Sequence, residues 1–457
     1  MSTSTETAVY CPAMLLAAPA SGQGKTTITA ALARYFRNQG KVVRVFKTGP
    51  DYLDPQILAQ ASGEPVEQLD LWMAGENYCQ QKLYEAARDA DLILVEGVMG
   101  MFDGDPSSAD LAARFNLPLA IVMNVKGMAQ TAAAIATGLA NFRDDVQCCG
   151  LIANNCSTAR HAELIRDPLP ETVPLLACLR TDDQITLPER HLGLVQADEV
   201  KDELEQRFEL GAQWIADGAE PGGLTELPAA VPFYPAPLPE VEPLLQGRTI
   251  AIARDRAFSF IYDANLRLLR ELGAQLRFFS PLNDSELPDA DAVWLPGGYP
   301  ELHAAALAQN QPMQNALRAF HHQGKPMLAE CGGLLYSLES LTDLAEDQHP
   351  MLGLLSGEGA MRGKRGCQGM QTAMLPEGEI QGHAHHRSRS HGTPEPIGHG
   401  RRQRHSAPGE AIYREGGLTA SYLHLFFPSN PVAVAQLFGA EIESAGVTRR
   451  DVAATHD

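Results

Sequence analysis

Short, mostly apolar runs separated by amphipathic stretches mark the first half of the chain. Residues 14–18, 42–46, 92–95, 119–124, 149–154 and 174–178 are runs of strand length. Between them, residues 26–37, 77–88, 128–142 and 157–166 space their apolar positions at helical intervals, and a further helix is predicted near 198–217. Strands and helices in alternation, with the strands apolar on both sides, predict a parallel sheet covered by helices on both faces. The pattern then stops. Seven prolines fall from Pro221 to Pro243. Proline fixes φ and removes a donor, so residues 221–246 are expected to form an extended linker.

The alternation restarts with strands at 249–253, 275–279, 292–295 and 326–330, helices at 262–272 and 301–322, and a helical stretch at 334–341. From 382 to 405 Gly, Arg, His, Ser and Pro dominate and the periodicity fails. A strand at 417–424 and a helix at 431–438 restore it. The expected fold class is α/β, with two doubly wound domains at 1–220 and 247–442 and a fraying tail at 443–457. At 457 residues the chain is too long for one ordinary core.

Composition narrows the function. The hydrophobic fraction of 44% and charged fraction of 20% are globular values, which exclude collagen, coiled coil and wholesale disorder. Lys plus Arg number 36 against 56 Asp plus Glu, a net charge of −20. Such a field argues against nucleic acid as a partner. An anionic ligand needs locally placed cations, a helix N-terminus or a metal ion. No apolar run approaches the roughly 18 residues of a membrane span, and residues 1–6 lack the basic and apolar regions of a signal peptide. The eight cysteines form no C-x-x-C pair, so a reducing cytoplasmic setting is expected.

The first predicted strand runs into Ala18-Pro19-Ala20-Ser21-Gly22-Gln23-Gly24-Lys25-Thr26-Thr27, which opens a helix. Pro19 stands where a strict P-loop has Gly, but Gly22-x-Gly24-Lys25-Thr26 is intact in the strand–turn–helix context that cradles phosphates. Lys25 is placed to neutralise the outer phosphates and Thr26 to ligate Mg²⁺. Two acidic loops follow later strands: Lys47-Thr-Gly-Pro-Asp51-Tyr52-Leu53-Asp54-Pro55 and Glu96-Gly-Val-Met-Gly-Met-Phe-Asp103-Gly104. Both lie at C-terminal strand ends, where open α/β sheets bind ligands. Carboxylates beside a triphosphate imply a bridging Mg²⁺, with Asp51 and Glu96 as its candidate ligands, while Lys47 would steady a phosphate.

In the second half, strand 326–330 runs directly into Cys331-Gly332-Gly333 and a helix. This is the arrangement of a nucleophile elbow, in which the helix N-terminus activates the thiol and donates backbone N–H groups to an oxyanion. A second set of oxyanion donors would come from Gly297-Gly298 within Leu295-Pro-Gly-Gly-Tyr-Pro300, beside those of Gly332. His424, at the end of a predicted strand, is the candidate base.

With these pieces assembled, the chain resembles the cobyrinic or hydrogenobyrinic acid a,c-diamide synthases of cobalamin biosynthesis. The resemblance rests on Ser21-Gly-Gln-Gly-Lys-Thr26, the Lys47–Pro55 and Val95–Gly104 loops, Leu187-Pro-Glu-Arg-His-Leu-Gly-Leu194, Ala253-Arg-Asp-Arg-Ala-Phe258, Phe279-Ser-Pro-Leu282, the segment from Leu295 to Leu302, and Ala329-Glu-Cys-Gly-Gly333. These span nearly the whole chain in a specific order. The amino half resembles dethiobiotin synthetase-like P-loop enzymes, and the carboxyl half class I glutamine amidotransferases.

The resemblance implies a reaction that uses ATP, Mg²⁺, L-glutamine and a corrinoid polycarboxylic acid. ATP would convert a peripheral carboxylate to an acyl phosphate, and ammonia cut from glutamine at Cys331 would displace the phosphate. Tyr52, Leu53, Asp54 and Asp103 match family positions around the substrate carboxylate, and Asn154 an adenine contact. Phe426 stands where many class I glutaminases carry a triad Glu, so a Cys–His dyad is implied. The His/Arg-rich segment 383–405 fits no zinc spacing. It is expected to be a solvated loop, a weaker reading being that its arginines draw in a polycarboxylate. Sister amidotransferases acting on other macrocycle carboxylates or on nickel sirohydrochlorin remain alternatives. So does a partitioning-type ATPase with a dead amidotransferase domain, although Ala20 stands where that group has a second lysine. A homodimer is the working expectation for assembly.

Overall fold

The computed structural model describes residues 7–187, 189–190, 193–194, 200–362 and 368–441. Part of the Leu187–Leu194 segment, Cys367 and the tail from 443 lie outside the described residues. The first sheet contains β1 (Val9–Ala17), β2 (Val43–Thr48), β3 (Glu67–Leu69), β4 (Leu92–Glu96), β5 (Leu119–Asn124), β6 (Cys148–Cys156) and β7 (Leu175–Arg180), in the spatial order β3-β2-β4-β1-β5-β6-β7. These neighbours are all parallel. Side chains from alternate positions of β1 enter different cores. Leu15 and Ala17 join one apolar cluster, Met14 and Leu16 the other. That is why these strands read as unbroken apolar runs rather than alternating ones.

The Pro-rich stretch is more than a tether. Its strand Ala230–Phe233 pairs antiparallel with Val9–Pro12 and adds an eighth strand to the first sheet. Helix α1 (Lys25–Asn38) follows β1, and α2 (Leu53–Ser62) follows β2. Helix α2 falls where the sequence predicts only a loop. Pro55 sits in its first turn, a place where proline loses no helical hydrogen bond.

The second sheet has ten strands. From one edge they are Gln275–Phe279, Thr249–Ala253, Ala292–Leu295, Met327–Glu330, Leu418–Ser421, Pro408–Glu415, Gly398–Arg402, Gln368–Leu375, Gly378–His385 and His424–Leu425. The first five are parallel and the rest antiparallel. The expected loop at 383–405 is therefore corrected: much of it is strand. Their buried positions, such as His383, Ser388 and Gly400, are polar or small, so no apolar periodicity betrays them. The single helix expected at 301–322 is corrected to a 3₁₀ turn (Pro300–His303) and two helices, Ala304–Gln309 and Gln311–His322. Asn310 caps the second through the Met313 N–H, and proline stands in its first turn. The helix expected at 334–341 ends at Ser337 and gives way to the strand Ser340–Thr342.

The two domains share a small apolar cluster of Met73, Tyr262, Ala264 and Phe426, flanked by Tyr52, Trp72 and Tyr78. Beside it, Arg267 makes a bidentate pair with the buried Glu67, at 2.7 and 2.9 Å. The synthetase-like and amidotransferase-like halves thus dock through both packing and charge.

Candidate active site

The phosphate loop adopts the backbone its glycines allow. Gly22 and Gly24 have φ of 77° and 91°, in the left-handed region that disfavours a side chain. A Cβ on Gly24 would lie 2.4 Å from Asn154 Nδ2. Asn154 instead donates to the Gln23 carbonyl at 2.9 Å and so braces the loop. The Lys25 ammonium donates to the Met99 carbonyl at 3.0 Å, and burial lowers its pKa. Ser21 is exposed at the loop tip.

Behind the loop the strand ends converge. The Thr26 hydroxyl lies 2.8 Å from Glu96 Oε1 and 3.2 Å from Asp54 Oδ2. Lys47 Nζ lies 2.8 Å from both carboxylates. Burial works against the Lys47 charge, but Glu96, Asp54 and Asp51 outweigh it and hold the ammonium protonated. Burial raises the Glu96 carboxyl, and among the described residues its Oε2 is buried without a partner. Asp51, expected as a Mg²⁺ ligand, lies in the same charged cluster as Lys47, Asp54 and Glu96, and its Oδ1 accepts the Leu53 and Asp54 N–H groups at the start of α2. Burial and the neighbouring Asp54 push it up to about 7. Asp54 holds the position beside Thr26 and Glu96. Leu53 is buried at the start of α2, and Asp103 is exposed with its carboxylate over Gly100.

Cys331 sits at φ 47°, ψ −97° between the strand Met327–Glu330 and the helix Gly332–Ser337. A non-glycine residue in that region is strained and held by its surroundings. The Cys331 N–H donates to Ser421, and the elbow presses on the Leu295–Pro300 turn. A Cβ on Gly333 would lie 2.0 Å from the Leu295 carbonyl, and one on Gly332 2.9 Å from Gly298 N. Gly332 and Gly298 are thereby brought together beside Cys331. Gly297 lies under the His424 ring, where its own Cβ would be 2.3 Å from Cε1.

His424 is 2% exposed. Burial, with His386 and His385 nearby, holds its pKa down to about 3, so the imidazole is neutral. Burial likewise pushes the Cys331 thiol up, opposed by the Gly332 N–H. Both shifts favour the uncharged forms of the two side chains. Among the described residues His424 Nδ1 has no partner, and packing holds the ring. His383 stacks on it at 5.1 Å and 19°, and Tyr52 lies 5.2 Å away. The flanking backbone is pinned: Leu425 donates to Glu330 Oε1, and Asn265 donates to the Leu425 carbonyl. Phe426, at the position of the triad acid in other glutaminases, is buried in the interdomain cluster instead.

The sequence did not single out Glu330 or Asn265, which pin the backbone beside His424, or Glu301, which lines the same cavity as Cys331. His383 lay in a segment expected to be solvated, yet it is 4% exposed. A buried Glu directly before the elbow cysteine was the available signal. The others are recognisable only by their partners.

One cavity of about 220 Å³ is lined by Cys331, His424 and Gly298 from the second domain and by Pro50 to Asp54 from the first. It therefore runs from the thiol to the carboxylate that touches Thr26 and Lys47. Among the described residues no helix is long and apolar enough to cross a membrane.

Comparison with known proteins agrees with this division. Residues 14–195 match the CobQ/CobB/MinD/ParA nucleotide binding domain, and residues 249–432 the CobB/CobQ-like glutamine amidotransferase domain. A hydrogenobyrinate a,c-diamide synthase from Stutzerimonas stutzeri is 52% identical over 93% of this chain and 98% of its own. One from Pseudomonas aeruginosa is 50% identical, over 94% and 98%. A cobyrinate a,c-diamide synthase from Herminiimonas arsenicoxydans is 47% identical, over 94% and 97%. Matched in both domains and along nearly its whole length, the chain belongs to the hydrogenobyrinate and cobyrinate a,c-diamide synthase family of glutamine amidotransferases.

Proposed function

We propose that the protein amidates the a and c carboxylates of cobyrinic or hydrogenobyrinic acid, using ATP and glutamine. The observation that carries this reading is the cavity shared by Cys331 and His424 with Asp54, which joins the glutamine-cutting pair to the phosphate site. A carboxylate is a poor electrophile, because ammonia would have to expel an oxide. Phosphorylation by ATP turns that oxygen into a leaving phosphate. Lys25 and Lys47 lie where negative charge collects. Thr26, Asp54 and Glu96 offer hard oxygen donors, and the orphaned Glu96 Oε2 suits a divalent cation. These residues would hold Mg²⁺, which would supply positive charge to offset that of the phosphates.

On the other side, Cys331 Sγ attacks the amide carbon of glutamine while its proton passes to His424. The oxyanion lies toward the backbone N–H groups of Gly298 and Gly332. Ammonia leaves, and water hydrolyses the thioester to glutamate. Asn154 and the Ser21–Thr26 loop hold the nucleotide, and Tyr52, Leu53, Asp54 and Asp103 approach the reacting carboxylate. A cytoplasmic setting belongs to the same reading, supported by seven free cysteines among the described residues. Light scattering tests the expected homodimer.

The test is mass spectrometry of products from each macrocycle with Mg-ATP and glutamine. A diamide is expected, lost in Cys331→Ala with glutamine and restored by ammonium chloride. Glutamine hydrolysis without amidation of either macrocycle would point to a sister enzyme with another substrate.

A further inference from the structure

A second interdomain cavity, of about 450 Å³, lies beside the active site. One wall is built by first-domain loops at strand ends, including Thr48 to Pro50 and Val98 to Met99. These follow Lys47 and Glu96 directly, and the Met99 carbonyl holds the Lys25 ammonium. The cavity therefore abuts the phosphate site. It also shares Pro50, His383 and His385 with the cavity that contains Cys331. A larger cavity of about 1080 Å³, beyond Asp51 and Tyr52, meets neither the Val98–Ser108 loop nor Cys331.

The lining divides by chemistry. Leu69, Leu71, Val98 and Leu111 of the first domain give it an apolar wall, and Met370 adds an apolar side chain on the second-domain side. The opposite wall comes from the His/Arg-rich strands and carries Arg402, Arg404, His385 and His405. Two carboxylates also line it, and both are engaged. Asp70 Oδ1 accepts the Trp72 and Met73 N–H groups. Asp105 lies 3.2 Å from Arg404 in a pair with both side chains more than half exposed, a weak and exchangeable contact. Arg402 is anchored by its Nε–H on the Pro408 carbonyl at 3.0 Å, and its Nη groups have no other partner among the described residues. A planar guanidinium fixed at one edge is suited to a carboxylate.

We propose that this cavity seats one edge of the corrinoid, with the ring against the apolar wall and carboxylates that are not reacting on Arg402 and Arg404. An apolar plate fringed with carboxylates is the ligand class such a split lining recognises, and an acidic protein must supply those cations locally. The inference rests on the a,c-diamide reading and deepens it. It explains why the amidotransferase domain extends strands toward Asp105, where Gln403 also bonds the Asp105 carbonyl.

The test compares the full chain with Arg402→Gln, Arg404→Gln and the double variant. Each single change is expected to raise KM for hydrogenobyrinic acid about tenfold, with kcat within threefold, because a charge-assisted hydrogen bond is lost outside the chemical step. Met370→Trp, which narrows the cavity from the second-domain side, should weaken binding of the macrocycle to the same degree, read by its visible absorbance. Unfolding midpoints matching wild type show that the variants fold. A double variant with wild-type KM overturns the seat while leaving the a,c-diamide reading intact. A wild-type chain that neither binds nor amidates either macrocycle overturns both.

Discussion

Replacing Gly297 by alanine tests the glutaminase geometry with one methyl group. The new Cβ would lie 2.3 Å from His424 Cε1 and 2.9 Å from Nδ1, whereas ordinary contact begins at 3.4 Å. The ring must withdraw by roughly 1 Å, and a displacement of that size at a reacting group costs about 10²-fold in rate. The ring has little room to retreat, since His383 and Tyr52 pack against it. Glutaminase kcat is therefore expected to fall about a hundredfold in Gly297→Ala, measured as glutamate release. Amidation supported by ammonium chloride should persist, because the added methyl meets His424 and Phe260 and no residue of the phosphate loop. A Gly297→Ala enzyme with wild-type glutaminase kcat would refute the placement of His424 as the base over this turn.

Other consequences follow from the same contacts. Tyr52→Ala removes a ring from the packing around His424 and should lower glutaminase kcat about two- to tenfold, with Tyr52→Phe close to wild type. Arg267→Ala removes the bidentate partner of the buried Glu67 carboxylate and leaves it the longer 3.8 Å pair with Arg44, so it should cost about 1–3 kcal/mol in urea unfolding, Glu67→Gln in the same background recovering part of it. Burial holds the Glu301 carboxyl up to about 7 and that of Glu330 up to about 8. Their contribution to stability is complete below the ordinary carboxyl value of about 4.3 and is lost as pH rises through these raised values. The unfolding midpoint should thus fall by a few degrees between about pH 5 and 8, and Glu301→Gln should flatten that slope.

Much of the machinery was legible because it is local. Ser21–Thr26 and Cys331–Gly333 each occupy a strand, a turn and a helix start within about ten residues, and glycine spacing alone specifies the turn. Glu96 was legible for the same reason, as the last residue of a strand. Asp54 was read as a substrate residue, and its contact with Thr26 appears only once α2 forms. The His/Arg-rich segment was opaque, since its buried positions, such as His383, Ser388 and Gly400, are polar or small and leave no apolar alternation to read.

The sequence by itself determined the two α/β domains, the phosphate loop and the nucleophile elbow, because backbone conformation and apolar periodicity are short-range properties. Only the tertiary structure decided what meets what. Arg267 finds Glu67 across 200 residues and Gln403 finds Asp105 across 298. Tyr52 comes to rest beside His424, and Phe426 turns from the site into the interface. Those pairings arise from burying apolar surface between domains, a collective effect that no local pattern encodes.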